Sequence, residues 1–151
     1  MQIRVLVNEK LLPNKIGTNF GSVSNWLSSK TWFKYDALTI GNGATVYSWS
    51  DRYGATLVDI IKRNGKQFIV VQEDHAERTD NNGMSESQSY KYSANPEGKK
   101  HYAQILDIET EDGQRGFILE PRYLNPQTNR FNKDGHRITL GHRSKFHDYS
   151  F

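Results

Sequence analysis

Apolar and polar residues alternate with a period of two along most of this chain. In residues 2–7, Ile3, Val5 and Val7 share one face, which predicts an edge or half-buried strand. The alternation resumes at Ala44 to Trp49, with Thr45, Tyr47 and Trp49 on one face and Ala44, Val46 and Ser48 on the other. Residues 55–63 are rich in Val, Ile and Leu, and residues 66–74 follow across Asn64-Gly65. A two-residue type I′ turn needs positive φ at both positions, which Asn-Gly supplies, so a hairpin is predicted here. Asp112-Gly113 marks a second hairpin between 101–109 and 115–119, and 89–93 and 137–140 read as further short strands. Only residues 22–30 carry a helical period. Val23, Trp26 and Leu27 follow a serine N-cap and predict one short helix.

Turn chemistry separates these segments at Gly41-Asn42-Gly43, at Asn95–Gly98, and at Ser50–Gly54, which reads as a polar loop. Two connectors are longer. The polar residues 74–89 exceed what a plain turn requires, and a loop of that length in a compact domain tends to be functional or mobile. The Pro-, Asn- and Lys-containing residues 121–135 read as a connector that could carry an irregular excursion. The pattern predicts an all-β fold with minor α content: a small antiparallel SH3-like or OB-like barrel with one short N-terminal helix. A single domain over residues 1–151 is expected. Residues 1–42 would hold the N-terminal strand, the helix and an aromatic segment, and 43–151 the barrel core.

Composition narrows the function classes. Of 151 residues, 35% are hydrophobic and 25% charged, which implies a thin core under a large polar surface. Cysteine is absent, so disulfide frameworks and cysteine zinc sites are excluded. No run reaches the roughly 18 apolar residues of a membrane span, and the N-terminus lacks a signal-peptide core, so a cytoplasmic protein with no membrane partner is expected. A net charge of +3 permits an anionic partner without requiring one, and a homo-oligomer is compatible with it.

No nucleophile elbow, phosphate-binding glycine loop, dinucleotide fingerprint or zinc-protease helix is present, so a non-enzymatic role is favoured. His75, His101, His136, His142 and His147 match no metal spacing and read as surface residues; neither metal nor cofactor is expected. Glu73, His75 and Glu77 alternate along a strand end and could converge as a general-base site, the basis of a small-hydrolase alternative. Asp80–Glu86 has alternating oxygen ligands, but its glycine stands fourth rather than sixth, which rejects a helix-loop-helix calcium site. Aromatic and basic residues interleave at Trp32-Phe33-Lys34-Tyr35 and Tyr90-Lys91-Tyr92. Trp32, Tyr35, Tyr90 and Tyr92 are therefore the stacking candidates of a single-stranded nucleic-acid-binding alternative.

The stretches YSWSDRYGATLVDI (from Tyr47) and DHAERTDNNGMSESQSYKYSANPEG (ending at Gly98), with the terminal HDYSF, resemble a group of small proteins encoded by bacteriophages and related mobile elements. The most specific piece is Asn82 to Gln88. This resemblance implies an accessory phage protein acting in the infected host cell. Its role would be that of an inhibitor or sponge in counter-defence, with a host or defence protein or a small anionic nucleotide as partner. Arg52, His75, Arg78, Asn82, Ser85 and Glu86, on the two loops beside the central hairpin, are the expected ligand-binding residues.

Overall fold

The alternating segments become antiparallel strands of one strongly curled sheet. A computed structural model describes residues 3–7, 10–11, 31–48, 50–84 and 88–145. The strands are β1 (Ile3–Val7), β2 (Lys10–Leu11), β3 (Trp32–Phe33), β4 (Gly43–Ser48), β5 (Asp51–Arg63) and β6 (Lys66–Glu73). They continue with β7 (His75–Arg78), β8 (Tyr90–Ser93), β9 (Lys100–Thr110), β10 (Arg115–Leu124), β11 (Phe131–Asn132) and β12 (Arg137–Leu140). The main sheet runs β11-β10-β9-β6-β5-β4-β12, with β1 on β9, β2 on β1 and β3 on β10, while β7 and β8 form a separate ribbon. β12 packs back against β10, so the sheet nearly closes into a barrel.

Closure gives β4, β5, β6, β9, β10 and β12 an inside face. Ala44 and Val46, Ala55 and Leu57, Ile69 and Val71, Ala103 and Ile105, Phe117 and Leu119, and Ile138 and Leu140 meet in one core. Each pair is spaced by two residues, as inward-facing positions of a strand must be. The Asn64-Gly65 turn has φ of 54° and 77°, the left-handed values a type I′ turn requires. One irregularity matters for the outer face: the β5–β6 register shifts between Leu57 and Asp59, where Val58 is an extra residue.

Three polar stretches differ from the sequence expectation. Ser50–Gly54 is not a loop: Ser48 pairs with Asp51, Tyr47 with Arg52 and Thr45 with Gly54, so β5 begins at Asp51. Gly54 serves close packing rather than a turn, because a Cβ there would lie 2.5 Å from the Tyr92 ring. Residues 74–89 are not one loop either: His75–Arg78 is a strand that pairs with Tyr90–Ser93. In 121–135, β10 continues through Pro121 to Leu124, and Phe131–Asn132 returns beside it as β11. Proline is accommodated because the second flank of β10 is paired only at 117–118 and 123–124. The predicted helix at 22–30 lies outside the described residues. Among those described, the helical element is a 3-10 turn at Tyr35–Ala37. No helix among them is long and apolar enough to cross a membrane.

Candidate anion-binding site

The residues singled out from sequence fall in three places. Arg52 and Tyr92 lie together where the β7–β8 ribbon folds over the start of β5. Tyr92 covers Gly54, its hydroxyl accepts from the Lys145 amide, and burial, above all, raises its pKa. Lys145 Nζ sits 4.7 Å from the Tyr53 ring centroid and 5.8 Å from that of Tyr90. Arg78 and Asn82 belong to a clasp at the ribbon's far end. Arg78 Nε donates to both Asp80 oxygens at 3.0 Å, and the Asn82 and Ser89 amides donate to the same carboxylate at 2.9 and 2.6 Å. These contacts, the Arg78 bond first, hold the Asp80 carboxyl well below the usual range. Ser85 and Glu86 lie outside the described residues.

Trp32 and Tyr35 are placed elsewhere, beside β10. The Trp32 ring packs on Gly116, and Tyr35 lies 5.8 Å from Phe117 while its hydroxyl donates to Asp107 at 2.6 Å. The four proposed stacking rings are thus split into two groups, each with intramolecular contacts: Tyr90 itself donates to Gln88 at 2.6 Å.

The proposed Glu73–His75–Glu77 convergence does not form. β6 ends at Glu73, and Asp74 breaks the strand by bonding Thr56 at 2.6 Å and Arg143 at 2.9 Å. His75 and Glu77 then face solvent on the ribbon, where His75 pairs with Ser93. Glu73 instead accepts from His101 Nε2 at 2.5 Å, and His101 is buried rather than a surface residue. His136 stands edge-on to His101 at 5.5 Å. Among the described residues no group of His, Asp and Glu could hold a metal ion.

The Glu73–His101 pair predicts a pH dependence. The His101 hydrogen bond, opposed by burial, lowers the Glu73 pKa below its ordinary 4.5. A depressed folded-state pKa contributes stability above the unfolded value and loses it as pH falls through the folded one. The urea midpoint should therefore drop on acidification below about pH 4.5, and Glu73→Gln should reduce that drop. An identical acid profile in the variant would show that the pair contributes nothing.

The cavity that collects charge lies on the outer face of β6, β9 and β10. The Asn64-Gly65 turn makes Arg63 and Lys66 the last pair of its hairpin. Facing like charges destabilise a pair. Arg63 is drawn aside: its guanidinium lies 4.9 Å from the Phe131 centroid and donates to the Asn129 carbonyl at 2.9 Å. Phe131 is delivered by the turn before β11, where Asn129 adopts φ of 55° and its amide donates to the Asn125 carbonyl at 2.8 Å. The ring stacks on Phe68 at 4.1 Å and 16°, and Tyr102 meets it edge-on at 5.3 Å.

Arg122 closes the floor. Its guanidinium donates to Gln104 at 2.9 Å and to the Pro121 carbonyl at 2.8 Å, with Glu120 4.0 Å away. Its side chain is 11% exposed, and burial lowers its pKa against the opposing Glu120 charge. Gly135 seats the returning chain, because a Cβ would lie 2.4 Å from Arg122 backbone atoms.

The resulting cavity, of about 410 Å³, is lined by five cations: Arg63, Lys66, Arg122, Arg130 and Lys133. Asn64, Gln104 and Asn129 add polar groups, and no carboxylate is among the described lining residues. Unit charges 4 Å apart repel by about 1 kcal/mol in water and about 4 kcal/mol near a protein surface. An anion in the cavity turns that repulsion into attraction.

Arg122 enters the sequence reading only through its aromatic–basic pairing with Tyr123, and none of these residues was expected as an anion ligand. A signal was present: residues 60–72 (IIKRNGKQFIVVQ) and 121–133 (PRYLNPQTNRFNK) contain no acidic residue. What the pattern could not give was that β11 folds the second stretch onto the first. No family model, curated protein or solved structure matches this chain.

Proposed function

We propose that the protein is a non-enzymatic binding protein that retains a small phosphate-bearing anion in the outer cavity. The observation that carries this reading is the convergence of five cations without a lining carboxylate around about 410 Å³. Arginine forks suit phosphate oxygens bidentately, and Arg122 is already oriented by Gln104 and the Pro121 carbonyl. The near-closed sheet supplies the rigid scaffold on which SH3-like and OB-like barrels mount their sites. The biological role proposed with it is sequestration by an accessory phage protein in the infected cell, supported by the resemblance of Tyr47–Gly98 to that group.

The single-strand nucleic-acid reading is weaker because its four rings are committed to internal contacts on two separate parts of the surface. The hydrolase reading is weaker because Glu73 is engaged by His101 and His75 faces solvent. Calorimetric titration with inorganic triphosphate tests the proposal. Binding is expected at about 0.01 M salt and should weaken more than about tenfold toward 1 M, as the Debye length falls from about 30 Å to about 3 Å. Phosphorus NMR should recover the ligand unchanged. Hydrolysis, or oligonucleotide binding without triphosphate binding, overturns it.

A further inference from the structure

We propose that a second trough beside the cationic cavity is a nucleobase subsite, and that the retained anion is a guanine nucleotide. The inference rests on the anion-binding reading and adds the class of ligand. The trough holds about 420 Å³ and shares Arg63 with the cationic cavity. Its apolar floor comes from Val58, Ile61, Val70, Tyr102 and Leu124.

The β5 irregularity makes this surface. In a regular strand Val58 and Asp59 would point to opposite faces. Here both line the trough, because the extra residue places two consecutive side chains opposite the single Val70. An apolar wall and a carboxylate thus stand side by side on one face.

The polar edge argues for what lies on that floor. Gln72 uses its amide nitrogen to donate to the Pro96 and Gly98 carbonyls, both at 3.0 Å, so the group it can still offer is its carbonyl oxygen. Asp59 accepts the Ile60 amide at one oxygen, 2.8 Å away, and keeps the other. Lys100 supplies a donor. An acyl chain would satisfy the floor and leave Asp59, Gln72 and Lys100 without partners. A heterocyclic base has apolar faces and a polar rim, which matches both. Of the bases, guanine pairs two adjacent N–H donors with acceptor atoms of its own. It therefore fits two acceptors and one donor better than uracil, which has one ring donor. Arg63, shared by both cavities, is placed to meet the phosphate that joins the two halves of such a ligand.

Titration with GDP, UDP and inorganic pyrophosphate tests this, using the whole chain and an Asp59→Asn variant. Asparagine keeps an acceptor for the Ile60 amide, so the fold is retained. GDP should bind about tenfold or more tighter than UDP and pyrophosphate, the margin of one hydrogen bond to a charged acceptor. Asp59→Asn should reduce GDP affinity to the level of UDP and leave pyrophosphate unchanged. If GDP binds no tighter than UDP or pyrophosphate, the base subsite is refuted while the anion site stands. If all three fail to bind, the anion reading falls and this inference with it.

Discussion

Replacing Phe117 with alanine should lower the unfolding free energy by about 3–5 kcal/mol, a large part of the roughly 5–15 kcal/mol of a typical domain. Among the described residues Phe117 is the largest fully buried side chain, and it sits in the central cluster. Phe33 packs against it at 5.5 Å and Tyr35 at 5.8 Å, both from the short β3 segment and its 3-10 turn. That segment is held to β10 through only two register pairs, Phe117 with Phe33 and Ile118 with Trp32. Truncation therefore removes the ring's own burial and also the surface that seats β3. Urea unfolding measures the loss, with the exposed Tyr123→Ala as a control expected within about 0.5 kcal/mol. A loss below about 1 kcal/mol for Phe117→Ala would remove it from the centre of the core.

Phe117 is also what the aromatic segment packs against. Trp32-Phe33-Lys34-Tyr35 interleaves aromatic and basic residues as a stacking platform does, and nothing local distinguishes a ring that will meet a base from one that will meet β10. The strand pattern was readable because alternation reports burial on one face, and Ala55–Leu57 and Ile69–Val71 point inward as their period requires. Asn64-Gly65 was readable because its turn is a local steric matter. The strand at Asp51–Gly54 was not, because its composition is that of a polar turn and its glycine answers to Tyr92, a residue distant in sequence. His75–Arg78 reads as loop for a related reason: in a two-stranded ribbon His75 and Glu77 face solvent, so the apolar half of the alternation is missing.

The site was hidden more deeply than the fold. Arg63 and Lys66 belong to a hairpin whose residues all had a structural explanation, and Arg122, Arg130 and Lys133 to a connector with no visible pattern. Their convergence depends on Phe131 reaching Phe68, a contact between residues far apart in sequence. The loop favoured from sequence, 74–89, is instead partly strand, and among its described residues the Asp80 carboxylate gathers Arg78 and the Asn82 and Ser89 amides. Polar composition marked that loop as lacking a core role. It could not reveal that Arg78 and the Asn82 and Ser89 amides converge on Asp80.

Reversing Arg130 and Lys133 to glutamate together should abolish triphosphate binding, with an affinity loss of about a hundredfold or more, while the fold is retained. A hydrogen bond to a charged group contributes about 1.5–3 kcal/mol, and each 1.4 kcal/mol is tenfold in affinity. Both residues are exposed on the cavity rim. The contacts that shape the turn there run through the backbone: the Asn125 amide donates to the Arg130 carbonyl at 2.9 Å, which substitution leaves in place. The urea midpoint should therefore move by no more than about 0.5 kcal/mol equivalent. The reversal acts twice, since it removes two attractive charges and sets two carboxylates where Arg63, Lys66 and Arg122 can pair with them. Neutral Arg130→Gln with Lys133→Gln separates the two effects. It should weaken binding less than the reversal does and keep part of the salt dependence, because three cations remain around the cavity. Unchanged triphosphate affinity in a folded double-glutamate variant would place the ligand elsewhere on the molecule, since no anion site of this size tolerates a four-unit change in local charge.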